Sequence, residues 1–293
     1  MIRLLLLFAF LLPLIAGAAI PAWFQSPPNL ASEFGQITTE NATPTFSLKY
    51  SSYSIYPTCA INANSTWTVV DNHTDPTIPR QILGVTQAGE IISGSVSLTF
   101  ANPKLFFDSQ STLFVVDLGG GYLYKYAPTG LGANYMYLGG SGCSVFGNSQ
   151  CGSNCGITYD SPHSQFWTFS PGVMNGICAC SYLTKSCRQF SNSYLIQTLA
   201  YDTGTNSLYG LAPAAGNLLL YKIDEALSWT FVGVIWGYQL VVPYRSIIQT
   251  TGYLTTVASD GFQTHLLTID IATAAVVDSP LLSLPIQTFC FAP

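Results

Sequence analysis

The sequence predicts an all-β fold, a β-propeller of about six four-stranded blades, or of five blades with an N-terminal arm. Three observations predict it. A motif of the form apolar-x-aromatic-Asp, polar turn, apolar-aromatic strand recurs along the chain. The clear copies continue into two further strand-like runs, at a repeat of roughly 40–50 residues, which is the sequence form of a propeller blade. Beyond the leader, helical periodicity is absent, and β-branched and aromatic residues run between Gly- and Pro-marked turns.

The copies read as follows. Leu105-Phe106-Phe107-Asp108 precedes Leu113-Phe114-Val115-Val116-Asp117. Ile157-Thr158-Tyr159-Asp160 precedes Phe166-Trp167-Thr168-Phe169. Leu199-Ala200-Tyr201-Asp202 precedes Leu208-Tyr209-Gly210-Leu211. Weaker copies span Cys59 to Val70 and Ile247 to Val257. Third strands follow at Tyr122 to Tyr126, Leu218 to Asp224 and Leu266 to Asp270, and fourth strands at Tyr135 to Leu138, Trp229 to Val232 and Ala275 to Val277. Copies therefore start near Tyr56, Asn102, Cys155, Gln197 and Tyr244. Pro285 to Phe291 reads as the first strand of one more, with Phe34 to Thr38 and Thr45 to Tyr50 as its companions. Residues 19–55 then form an N-terminal segment shared with the closing blade, and residues 56–293 the repeats, the C-terminal strand closing the ring. A four-stranded blade has two apolar faces and buries both only between neighbours.

The run Tyr201 to Leu211, followed by Leu220-Tyr221-Lys222-Ile223-Asp224, resembles the blades of extracellular and periplasmic propellers of the WD40-like and YVTN-like kind. The resemblance covers roughly residues 56 to 293 and implies the fold. That group holds binding scaffolds and enzymes alike, so it implies no activity. The Gly-His and Trp-Asp marks of true WD40 repeats are absent, and no family active-site motif maps onto this sequence.

The first 18 residues read as a secretory signal peptide. Arg3 gives a positive start, Leu4 to Ile15 an apolar stretch, and Ala16-Gly17-Ala18 the small residues of a cleavage site. The implied location is secreted, extracellular. No membrane span is expected after cleavage, because the most apolar window, Trp229 to Val242, is short and broken by Gly233, Gly237 and Gln239. Charged residues are 8% of the chain, against roughly 25% in an average soluble domain. That composition excludes disorder, and a net charge of -5 excludes nucleic acid as a partner.

An exported chain with an even number of cysteines implies disulfides. Cys59 and Cys290, near the two ends of the mature chain, are expected to pair. Cys143, Cys151, Cys155, Cys178, Cys180 and Cys187 would form three local bridges of open connectivity. The Cys151/Cys155 and Cys178/Cys180 spacings do not match the C-x2-C pairs usual for zinc. Asn41, Asn64 and Asn72 stand in glycosylation sequons, the first weakened by Pro44.

No catalytic, metal or cofactor residue is assigned. Asp108, Asp160 and Asp202 each end a strand before a turn, where a carboxylate caps backbone N–H groups. Glycoside hydrolysis needs two facing carboxyls, and Glu33, Glu40, Glu90 and Glu225 stand in no such setting. His73, His163 and His265 read as scattered surface histidines. Asp117 to Tyr122, D-L-G-G-G-Y, is a hairpin turn with no helix behind it to hold a phosphate. Tyr122, Tyr124, Tyr126, Tyr135 and Tyr137 alternate along two strands, as inter-blade packing or as a recognition surface for sugar rings. The polar insert Gly139 to Gly156 is a second candidate surface. The expectation is a non-enzymatic recognition or structural protein that binds an extracellular protein or glycan through blade loops. The alternative is a secreted carbohydrate hydrolase or lyase.

Overall fold

The structure, a computed structural model, describes residues 20–26, 31–38, 45–52, 58–62, 65–70, 80–86, 90–98, 103–127, 130–138, 143, 156–170, 176–191, 193–224, 228–241, 246–250 and 252–290. The first 19 residues, His73, the three sequon asparagines, Cys151, Cys155 and most of the 139–156 insert lie outside them. The described residues contain strands and turns and no helix.

The protein is an all-β propeller. Five sheets are built from consecutive strands. Blade 1 holds β4 (Cys59–Ile61), β5 (Ser65–Val70), β6 (Arg80–Thr86) and β7 (Ile91–Leu98). Blade 2 holds β8 (Pro103–Phe107), β9 (Leu113–Asp117), β10 (Tyr122–Ala127) and β11 (Gly130–Tyr137). Blade 3 holds β12 (Gly156–Asp160), β13 (Gln165–Phe169), β14 (Ile177–Ser181) and β15 (Ser186–Phe190). Blade 4 holds β16 (Thr198–Asp202), β17 (Ser207–Ala214), β18 (Asn217–Ile223) and β19 (Trp229–Ile235). Blade 5 holds β20 (Gln239–Leu240), β21 (Ser246–Thr250), β22 (Tyr253–Ser259), β23 (Thr264–Asp270) and β24 (Val276–Asp278), with β20 and β21 both paired to β22. A further sheet joins the chain ends, in the order β25 (Ile286–Phe289), β1 (Ile20–Ser26), β2 (Ala31–Thr38), β3 (Thr45–Ser52).

The strand β1 was not legible in sequence, because Pro21 and the leader-like flank hide it. It pairs over its whole length with β2, Ile20 opposite Ile37, and meets β25 through Ala22 opposite Phe289.

The strands β4, β8, β12, β16 and β21 of blades 1 to 5 touch in succession. In β8, β12 and β16 every residue is buried, the polar Lys104, Thr158, Asp160, Thr198 and Asp202 included. Their unpaired edges are partly satisfied across blades. The Leu105 amide donates to Thr58 Oγ1 (3.4 Å) and the Tyr201 amide to Thr158 Oγ1 (3.3 Å). The second strands alternate. Phe166 packs toward blade 2, while Trp167 and Phe169 pack toward blade 4.

The described apolar core is divided among the inter-sheet spaces. Phe106, Phe114, Tyr159 and Phe166 fill the space between blades 2 and 3. Leu199, Leu208 and Ile223 meet Trp167 and Ile177 between blades 3 and 4. Leu211 and Leu220 meet Leu254 and Leu267 between blades 4 and 5. Ile37, Ile286 and Phe289 pack on Val257 and Leu266 of blade 5. The circle closes at Cys59, Val85 and Cys290, where the predicted Cys59–Cys290 disulfide is formed. Two of the clustered cysteine pairs are also bridged, Cys143–Cys178 and Cys180–Cys187.

Candidate functional site

A crevice of about 250 Å³ opens between blades 3 and 4. Its geometry starts from the turn after β12. Asp160 ends that strand and is 1% exposed. A buried carboxylate needs donors, and four nitrogen atoms make five contacts with this one. Its Oδ1 accepts the His163 amide (3.2 Å), and both oxygens lie against the His163 ring Nδ1 (2.8 and 2.9 Å). Oδ2 also accepts Gln165 Nε2 (2.6 Å) and Trp167 Nε1 (3.4 Å). Gln165 and Trp167 reach it together because they are two apart on β13 and share a face. A carboxylate only accepts, so the Nδ1 facing it carries the proton. The ring edge bearing Nε2 is then on the far side from Asp160.

The outer strand of blade 3 adds Arg188 and Phe190, again two apart. The guanidinium lies 5.4 Å from the Phe190 ring centroid, and Phe190 lies 5.5 Å from Trp167. Blade 4 supplies the facing wall of Tyr201, Asn206, Leu208, Ile223 and Asp224. The Tyr201 hydroxyl donates to Asn206 Oδ1, and Asp224 Oδ1 accepts the Ser228 amide (2.8 Å). Trp167, Ala179, Leu208 and Ile223 thus make an apolar floor. His163, Gln165, Arg188, Asn206 and Asp224 make a polar rim.

The equivalent aspartates show what is particular here. Asp108 accepts the Gln110 and Thr112 amides (2.9 and 2.7 Å), and Asp202 accepts the Gly204 amide (3.1 Å) and the Thr205 hydroxyl (2.8 Å). All three therefore cap turns, as the sequence predicts. Only Asp160 gathers an imidazole, a carboxamide and an indole. The signal was present in sequence at three, five and seven residues past each aspartate. Those positions hold Ser111, Leu113 and Val115 in blade 2, and Thr205, Ser207 and Tyr209 in blade 4. In blade 3 they hold His163, Gln165 and Trp167. Arg188 and Phe190 had no such signal.

The tyrosines of blade 2 are placed differently from one another. Tyr122 sits opposite Tyr137 on β11, ring centroids 5.0 Å apart, and 6.1 Å from Tyr124. Tyr137 is well exposed. Tyr126 is buried against Trp67 of blade 1, ring centroids 5.4 Å apart, which is inter-blade packing. Burial also raises its hydroxyl pKa. Tyr135 pairs with Tyr124 in register, and its side chain lies outside the described residues.

One of the two described histidines departs from the surface reading: His163 stays exposed, and His265 does not. His163 is held by Asp160, and His265 is buried, its Nδ1 2.9 Å from the Ser279 carbonyl and its Nε2 3.2 Å from Asp260 Oδ2. Asp260 is held below the usual carboxylate range by the Gln263 and Phe262 amides and, less, by His265. Asp117, at the D-L-G-G-G-Y turn, is shifted the other way. Burial raises its pKa, and the Gly120 and Gly119 amides offset that only in part. A Cβ at Gly120 would stand 2.3 Å from Asp117 Oδ2, so a larger residue there has to displace the Asp117 carboxylate. Among the described residues, no group of three His, Cys, Asp or Glu is placed to hold a metal ion, and no helix is long and apolar enough to cross a membrane.

No protein-family model matches the chain, and no curated protein sequence matches it. Solved structures do. A chain in the crystal structure of a nidogen/laminin complex superposes with a TM-score of 0.61 at 12% identity, over 92% of this chain and 98% of that one. TolB from Acinetobacter baumannii gives 0.58 at 11% identity, over 93% of this chain and 66% of that one. A functionally unknown protein from Desulfotomaculum acetoxidans gives 0.55 at 12% identity, over 94% and 90%. The first two neighbours are β-propeller repeat proteins, and at such identities the likeness concerns the fold alone.

Proposed function

We propose that this protein is a secreted recognition propeller that holds a ligand of sugar-ring size in the crevice between blades 3 and 4. The observation that carries the reading is the pairing of an apolar floor with a rim of planar polar side chains. A pyranose has the complementary form, one C–H face and an edge of hydroxyls, and pockets of this kind orient ligands with a few fixed polar groups. A volume of about 250 Å³ lies just under the roughly 300 Å³ at which drug-sized pockets begin, which suits one ring and not an extended chain. The leader and the disulfide framework support export.

The test is a glycan array with the mature chain, followed by calorimetry on any hit with His163→Ala and Phe190→Ala. The expected result is a hit that weakens about tenfold or more in both variants while both remain folded. A hit that survives both variants, or an array without hits, removes the reading. The Asp160–His163 pair favours one second reading, a carbohydrate hydrolase or lyase. An imidazole whose Nδ1 is fixed by a buried carboxylate is oriented as a general base. Incubating the array hit with the protein and weighing the products separates the two readings. A product of changed mass that His163→Ala no longer forms establishes the enzyme, and an unaltered ligand leaves recognition.

A further inference from the structure

We infer that the crevice selects an acidic ring ligand, a sugar bearing a carboxylate, over its neutral counterpart, and that Arg188 makes the distinction. The inference rests on the crevice being a sugar site. Among the described residues, Arg188 is the one guanidinium or ammonium group in its lining. The two carboxylates of the lining, Asp160 and Asp224, are both engaged elsewhere. Asp160 takes His163, Gln165 and Trp167, and Asp224 takes the Ser228 amide. Neither forms an ion pair with Arg188 among the described residues.

Arg188 is also held in place. Its guanidinium is set over the Phe190 ring, which removes water from one of its faces and leaves its N–H edges for a planar anion. A carboxylate matches those edges in a bidentate pair, and a hydroxyl does not. With the C–H face of a ring on the floor of Trp167, Leu208 and Ile223, a ring carboxylate at the rim reaches the guanidinium. A neutral sugar has only the shared hydroxyl contacts.

The experiment is calorimetric titration of the mature chain with D-glucuronate, D-galacturonate and N-acetylneuraminate, and with D-glucose and D-galactose as neutral partners. At least one acid is expected to bind about tenfold or more tightly than the neutral sugars. Arg188→Gln should bring that acid down to the neutral level, leaving the melting temperature unchanged because Arg188 is exposed on an outer strand. Arg188→Lys should keep part of the preference, since an ammonium is a point charge without the planar fork. Neutral sugars that bind as tightly as the acids, or an acid preference that survives Arg188→Gln, overturn the inference and leave the crevice a sugar site. If no sugar of either kind binds, the inference and the sugar reading fall together.

Discussion

Removing the Cys59–Cys290 bridge asks whether the ring is held shut by its ends. The bond joins the first strand of blade 1 to the residue after β25, across 231 positions of sequence. The chain-entropy relation for a loop of that length gives about 5 kcal/mol of stabilisation. Cys180–Cys187 is a natural control. It spans 7 positions within the β14–β15 hairpin, for which the same relation gives about 2 kcal/mol. Cys59, Cys290 and Cys180 are all buried, so the packing lost on replacement by alanine is similar and the difference isolates the loop. The comparison is Cys59→Ala/Cys290→Ala against Cys180→Ala/Cys187→Ala, in equilibrium urea unfolding followed by tryptophan fluorescence. The terminal pair should lose roughly 5 kcal/mol, with a melting temperature lower by about 10–20 °C. The hairpin pair should lose less than half of that. Hydrogen exchange at β25 amides should accelerate only in the terminal variant. Equal losses in the two variants, or an unchanged midpoint for the terminal one, would refute the view that closure constrains the unfolded chain.

Three further outcomes are expected. Gly84→Ala puts a Cβ 2.9 Å from the Trp67 ring and should cost about 1–3 kcal/mol by overpacking; a neutral effect on thermal unfolding would show that Trp67 moves freely. Asp160→Ala orphans the ring N–H groups of His163 and Trp167 and should cost about 3 kcal/mol or more, against about 1–2 for Asp108→Ala, which orphans backbone amides near solvent; equal midpoint shifts would remove the special standing of Asp160. Acid should separate Asp117 from Asp260. The folded Asp117 binds its proton at higher pH than the unfolded chain, so its contribution improves as pH falls from the raised folded value toward about 3.9. Asp260 has the opposite shift, so its contribution is present above about 3.9 and is lost as pH falls through the lowered folded value. Stability of wild type relative to Asp117→Asn should therefore rise between pH 7 and 3, and relative to Asp260→Asn should fall. Shifts of the same sign in the two urea series would contradict these assignments.

The strand quartets were legible because buried strands of five to seven residues between Gly and Asn turns leave an unmistakable pattern. Thr198–Asp202 and Ser207–Ala214 start one residue before the runs read from sequence, and the second continues three residues past its run. The terminal disulfide was legible from position alone, since two cysteines remote in sequence had one partner each to find. The crevice was not legible as a site. Asp160 looks like Asp108 and Asp202 in its own strand, and Arg188 and Phe190 lie on a strand two hairpins away. Their convergence with Asn206 and Asp224 depends on how blade 4 seats against blade 3. Sequence distance carries no record of that seating. The tyrosine run divides for a related reason. Alternation in β10 gave a shared face, but that face runs from Tyr126, buried on Trp67, to the exposed ring of Tyr137.

A repeat protein carries its own comparison set, and this allows a last prediction to separate structure from recognition at His163. In blade 4 the position three past the aspartate is Thr205, whose hydroxyl donates to Asp202 at 2.8 Å. His163→Thr should therefore replace the imidazole contact to Asp160 with a hydroxyl contact already accommodated by an equivalent turn. His163 is exposed in good part, so little packing is lost, and the stability change should stay within about 1 kcal/mol. Ligand affinity should fall about tenfold, since a hydroxyl beside Asp160 does not project an imidazole edge over the rim. A stability loss as large as that of Asp160→Ala would make His163 a structural partner of the aspartate. Undiminished affinity would place the ligand elsewhere on the ring.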